Sequence, residues 1–125
     1  MDWAGLPRPL SFSEPVMLDH IRKRADFLKC AQARRANAPG LLLQGRARDD
    51  DEATRVGFTC SKKVGNSVAR NRARRRLREV ARLELETLGR PGWDYVLIGK
   101  SEITANRAFD ELRQDFRAAL AKVHG

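Results

Sequence analysis

The chain has 125 residues, 42% of them hydrophobic, and 25 Lys and Arg against 16 Asp and Glu give it a formal charge of +9 and a pI near 10.5. That length suits one compact domain with a modest core and argues against two. No run approaches the roughly 18 apolar residues that span a bilayer, and Asp2, Arg8 and three prolines stand where a secretory signal needs an apolar core, so the expected setting is cytoplasmic and the expected partner a polyanion.

Residues 1–17, with Pro7, Pro9 and Pro15 and little periodicity, read as a loosely ordered extension, leaving 18–125 as a single domain. Arg24 to about Ala33 fits a short amphipathic helix, with Ala25 and Leu28 in its stripe and Phe27, Cys30 and Ala31 interleaved. After Pro39-Gly40, Leu41 to Ala47 reads as a strand closed by a hairpin loop at Asp49, Asp50, Asp51 and Glu52. The next strand is the clearest. Val56, Phe58 and Cys60 alternate with Gly57, Thr59 and Ser61, which puts the first set on a core face and the second on the opposite one.

Gly65 and Asn66 break the chain, and Asn66 or Ser67 can cap a long helix running to about Leu88. At 100 degrees per residue, Ala73, Leu77, Val80, Ala81, Leu85 and Leu88 share one arc, while Asn71, Arg72, Arg75, Arg78, Glu79 and Arg82 face away. Pro91-Gly92 stops the helix. Trp93 to Gly99 then reads as a central strand, because it is nearly continuously apolar. From Thr104 a last helix places Ala108, Leu112, Phe116, Ala119, Leu120 and Val123 inward. The order α-β-β-α-β-α predicts an α/β (α+β) two-layer sandwich, three helices on a small mixed sheet with a β-α-β crossover.

The charge is localised. Lys62 to Arg82 holds nine Lys or Arg and one acid, Glu79, and the other 104 residues are nearly balanced, sixteen basic to fifteen acidic. Five arginines between Arg70 and Arg76 repel one another unless anions lie between them. RNA phosphates suit them: the planar Arg fork bonds two phosphate oxygens, whereas Lys62 and Lys63 act as flexible point charges. A solvated face, the ordinary reading of a charge run, mixes signs far more than this one does.

The run Arg55-Val56-Gly57-Phe58-Thr59-Cys60-Ser61-Lys62-Lys63-Val64-Gly65-Asn66-Ser67-Val68-Ala69-Arg70-Asn71-Arg72 resembles the bacterial ribonuclease P protein family. Strand, Ser-Lys-Lys, glycine turn, Arg-Asn-Arg triplet and basic helix occur in order, and the likeness extends over about residues 20–122. The resemblance implies a left-handed crossover at the long helix. It implies that Lys62, Lys63, Asn66, Arg70, Asn71, Arg72, Arg74, Arg75, Arg76 and Arg78 contact a catalytic RNA subunit. It also implies a separate cleft for the single-stranded 5′ leader of precursor tRNA, with Phe27, Thr59 and Ser61 as candidates; for Phe27 an ordinary core position is the alternative. Ala31 and the strand Leu41 to Gln44 lack the aromatics common in relatives, so leader stacking is expected to be weaker or differently arranged.

No protein catalytic residue is expected. A protein nuclease needs a His pair or clustered carboxylates holding metal; His20 and His124 stand near opposite ends and read as surface groups, and the Asp49 to Glu52 acids read as a solvated turn. The family's RNA carries out hydrolysis with Mg²⁺, held mainly by the RNA subunit and substrate, and no metal is assigned to the protein. Cys30 and Cys60 match neither a zinc site nor a redox pair and read as buried thiols. A structural RNA-binding protein, such as a small ribosomal component, is the rival reading. A DNA-binding regulator is weaker, since neither dimerisation heptads nor helix-turn-helix spacing occur, and neither DNA nor a membrane is expected as a partner.

Overall fold

The computed structural model describes residues 18–48, 50 and 52–125. The expected extension over 1–17, Asp49 and Asp51 of the acidic turn, and the Lys62 side chain lie outside the described residues. The elements are β1 (Leu18–His20), α1 (Arg24–Ala31), β2 (Arg34–Asn37), β3 (Leu41–Ala47), β4 (Thr54–Thr59), a 3₁₀ turn (Lys62–Val64), α2 (Ser67–Leu88), β5 (Trp93–Gly99), α3 (Ile103–Asn106) and α4 (Phe109–His124).

The five strands form one mixed sheet in the order β1-β4-β5-β3-β2. β5 is central, as its apolar run predicts, with Asp94, Tyr95, Val96 and Leu97 all buried. β4 and β5 run parallel and are joined through α2, giving the expected crossover. The acidic turn does not close a hairpin, which corrects the sequence reading. β3 pairs antiparallel with β2 and β5, not with β4, because β5 takes the place between them. The turn is laced instead to the start of β5: Arg48 N donates to Gly92 O at 2.7 Å and Gly92 N to Glu52 O at 2.8 Å.

One sheet face carries the main core, where Leu43, Val56, Tyr95 and Leu97 meet Leu77, Val80 and Leu85 of α2 and Leu112, Phe116, Leu120 and Val123 of α4. The other face is covered only in part, by α1, through a small cluster of Ile21, Cys30 and Val96 with Phe27 and Ile98 against it.

The last helical stretch is two helices rather than one. Arg107 and Ala108 adopt extended backbone between α3 and α4, held there as Arg107 Nε donates to Asp115 Oδ2 at 2.5 Å. Ala108 is consequently exposed rather than inward, and Leu88, at the end of α2, is 41% exposed rather than part of the core. The edge strands β1 and β2 go unpredicted, since three and four residues are too few to show a period.

Candidate nucleic-acid interface

The helix that carries the charge is launched by a fixed turn. Gly65 has φ of 143°, where an L side chain is strained and a Cβ would stand 2.8 Å from Ala69 Cβ. Asn66, in extended backbone, then accepts a hydrogen bond from Ala69 N through Oδ1 at 3.0 Å, a side-chain N-cap. Asn66 is thereby a structural cap as well as a candidate contact.

Beyond the cap, the cations of α2 divide into two flanks of the buried stripe Ala73, Leu77, Val80, Ala81, Glu84 and Leu85. Arg70, Arg74 and Arg78, spaced four apart, form the flank toward β4. There the Arg78 guanidinium lies 5.6 Å from the centre of the Phe58 ring, and Arg74 and Arg70 are close enough to oppose the upward push that burial gives the Cys60 thiol. Asn71 and Arg75 are fully outward, and Arg74 Nη1 is 3.4 Å from Asn71 Oδ1. Lys63 is exposed on the turn before the helix. None of these six cations and amides has a carboxylate partner within 4 Å among the described residues.

The second flank is used inside the fold. Arg72 Nε donates to Ala105 O at 3.0 Å, and Arg76 Nη1 donates to the same carbonyl at 2.7 Å while its Nη2 reaches Arg107 O. The last carbonyls of a helix lack intrahelical partners, and two guanidiniums supply them at the end of α3. Burial and the neighbouring Arg72 charge push the Arg76 pKa down. The resemblance names Arg76 among the RNA contacts; in the structure its head braces the α3–α4 corner, while Arg72 remains exposed beyond its Nε.

The partly covered sheet face is organised in three cross-strand rows. Arg55, Asp94 and Arg46 are register partners in the first; Gly57, Val96, Gln44 and Arg35 in the second; Thr59, Ile98, Leu42 and Asn37 in the third. α1 seats Phe27 on the second row, so close that a Cβ on Gly57 would lie 2.6 Å from Phe27 Cε1. The third row is open: Thr59 and Asn37 are exposed, and Leu42 and Ile98 are half-buried. Phe27 and Thr59, two sequence candidates, therefore share one face, and Ser61 is exposed just past the strand end. Phe27 is half-buried at the margin of a small cluster, not a closed core position. Sequence reasoning misses Leu42 and Ile98, although both alternate with the deeply buried Leu43 and Leu97 and so point to the second face.

The first row holds an unanticipated buried carboxylate. Asp94 is fully buried, its Oδ1 accepting from Arg48 Nη1 at 2.5 Å and Arg55 Nε at 2.8 Å, its Oδ2 from Arg55 Nη2 at 2.7 Å and Arg46 Nη1 at 3.2 Å. These bonds to Asp94, outweighing burial, push the Arg55 pKa up.

His124 is half-buried and bonded within the fold rather than a free surface group, which corrects the sequence reading. Its Nε2 bonds Tyr95 Oη, which also accepts from Arg90 N at 3.3 Å, and its ring stands edge-on to Trp93 at 5.0 Å. Burial, then the Arg90 charge, pushes its pKa down. His20 is exposed at the far end of the chain, so no His pair forms. Both cysteines are buried and free, and burial raises the Cys30 thiol to about 11. Among the described residues no group of three or more His, Cys, Asp or Glu gathers that could hold a metal, and no helix is long and apolar enough to cross a membrane.

A carboxylate-poor basic helix on one side of a mixed sheet and an open, partly apolar face on the other place the chain among small basic α/β domains that bind RNA. The sequence profile of the family described as Ribonuclease P matches residues 18–124. The ribonuclease P protein component of Ruegeria pomeroyi is 58% identical over 121 residues, covering 95% of this chain and 97% of that protein; that of Paramagnetospirillum magneticum is 50% identical, covering 85% and 83%. Among solved structures, the RNase P protein of Thermotoga maritima superposes with a TM-score of 0.72 at 22% identity over 86% of this chain and 99% of that one. The Staphylococcus aureus RNase P protein gives 0.67 at 23% identity, over 85% and 97%. The chain belongs to the ribonuclease P protein component family, whose members are the protein subunit of the tRNA-processing endoribonuclease ribonuclease P.

Proposed function

We propose that this subunit uses its two sides for two RNAs: the flank of α2 formed by Arg70, Arg74 and Arg78, with Asn71, Arg75, Lys63 and the outer edge of Arg72, binds the catalytic RNA, and the face under α1 receives the 5′ leader of precursor tRNA. The observation that carries this is the separation itself. The α2 cations that have no carboxylate partner among the described residues lie on one side of the sheet, while Phe27, Thr59, Leu42 and Ile98 line the other. A strand of phosphates along the cationic flank releases counterions and binds in a salt-dependent way. A base lying on the half-buried row of Leu42 and Ile98 beside Phe27 gains sequence-tolerant stacking, and Thr59 and Asn37 at the two ends of that row offer hydrogen bonds to whichever edge approaches.

Mg²⁺ belongs with the RNA in this reading. The described side chains offer no three-ligand cluster, and Mg²⁺ keeps most of its water and takes phosphate oxygens readily. The chain's own contribution is to bring two polyanions together and to orient the leader. Reconstitution tests this: labelled precursor tRNA is incubated at low Mg²⁺ with the catalytic RNA of the source organism, with this chain, and with both. Cleavage at the mature 5′ end only with both supports the reading, and cleavage by the protein alone or no stimulation of the RNA refutes it.

A further inference from the structure

α1 is a weakly determined helix in a place where position matters. It has eight residues, no side-chain N-cap and a single fully buried residue, Cys30, and helices this short do not persist without tertiary support. Its apolar contacts, Phe27 on Gly57 and Cys30 beside Val96, are non-directional and leave rotation and sliding weakly opposed. A directional contact comes from Asp26, the residue before Phe27. Its side chain is only 17% exposed; Oδ2 lies 3.4 Å from Arg55 Nη1 and Oδ1 3.9 Å from Arg46 Nη1. Both guanidiniums are anchored from below by the buried Asp94, so they form a layer between a carboxylate of the sheet and a carboxylate of the helix.

Arg48 also bonds Asp94 and is paired in turn with Asp50, so the connected group holds three arginines and three acids and its charges cancel. It is therefore a poor phosphate trap, and its value lies in geometry: paired, hydrogen-bonded guanidiniums fix orientation where apolar packing does not. An acid beside a face that receives RNA is otherwise unfavourable. We propose that Asp26 is a positioning residue: through Arg46 and Arg55 it ties α1 to the sheet and sets the height and rotation of the Phe27 ring over the open row of Thr59, Ile98, Leu42 and Asn37, and so the preference for leader-bearing substrate. This rests on the reading of that face as the leader cleft.

The test uses the reconstituted holoenzyme and compares the Kd of precursor tRNA with that of mature tRNA for Asp26→Asn, Asp26→Glu and Phe27→Ala, alongside thermal unfolding of each protein. Losing only the alignment of a stacked base should reduce the precursor preference of Asp26→Asn by roughly three- to tenfold, with mature tRNA affinity unchanged and partial rescue in Asp26→Glu. In an Asp26→Asn background, Phe27→Ala then adds less than it does alone, because the two residues act through one contact. A preference retained in Asp26→Asn but lost in Phe27→Ala overturns the role of Asp26 and leaves the cleft reading standing. A preference retained in both overturns the cleft reading as well. Equal loss for precursor and mature tRNA makes Asp26 a stability residue only. Should Asp26→Asn loosen the fold, Arg55→Lys, which keeps the charge but not the fork, reads the same tie from the other end.

Discussion

Phe27 rests on the backbone of Gly57, with a Cβ at that position standing 2.6 Å from Cε1 and 2.7 Å from Cζ of the ring. The two residues are thirty positions apart, and their contact defines the closed side of the cleft. Gly57→Ala must lift the ring or shift α1, a small overpacking that costs about 1–3 kcal/mol. Expected is a lowered melting temperature together with reduced precursor preference in the holoenzyme. Unchanged values for both would show that Phe27 is not seated there.

Much of this architecture is legible in the sequence because it is periodic. The alternation through Val56, Phe58 and Cys60, the apolar run of β5 and the arc from Ala73 to Leu85 each announce their element, and Gly65-Asn66 marks the start of α2. The pairing of strands is not legible: the acidic turn after Ala47 looks like a hairpin, yet β5 lies between the strands it joins. Side-chain destinations are equally hidden. Arg76 has the same chemistry as Arg74 two residues earlier, and only the position of α3 directs its head to carbonyls rather than solvent. Asp94 lies in an apolar strand, and its three arginines come from positions 46, 48 and 55, a separation no local pattern reveals.

Asp94→Asn removes the only buried anion facing Arg46, Arg48 and Arg55 among the described residues. Breaking a buried pair by deleting one partner costs about 3–5 kcal/mol, since the remaining charges stay desolvated. Chemical denaturation should show a loss of that order. A change of under about 1 kcal/mol, the scale of an exposed pair, would contradict the account of this row.

The brace at the α3–α4 corner predicts a separation of stability from binding. Arg76→Ala leaves the Arg107 carbonyl without its guanidinium donor and deprives Ala105 O of one of two. Each orphaned buried acceptor costs about 1–3 kcal/mol. Thermal unfolding should reveal that loss while the salt slope of catalytic-RNA binding stays as in the wild type. A clear fall in the slope would return Arg76 to the RNA-binding set.

His124 gives the fold a pH dependence of defined sign. Its folded pKa lies below its ordinary value of 6.5, with burial the larger cause and Arg90 the lesser. The fold therefore favours the neutral ring, and the associated stability is complete above the unfolded pKa and is lost as pH falls through the folded one. Melting temperatures measured from pH 7.5 down to about 5 should decline, and His124→Gln should flatten the decline. A wild-type profile no steeper than that of the variant would contradict this placement of the histidine.

If the Arg70, Arg74 and Arg78 flank holds the catalytic RNA, the Kd for that RNA depends on salt through these side chains. For Arg70→Ala/Arg74→Ala, the slope of log affinity against log salt should fall by about 1.4 to 1.8, roughly 0.7–0.9 for each phosphate contact removed, with the melting temperature nearly unchanged because neither side chain donates to a carbonyl of the fold. An unaltered slope would place the RNA on another surface of the protein.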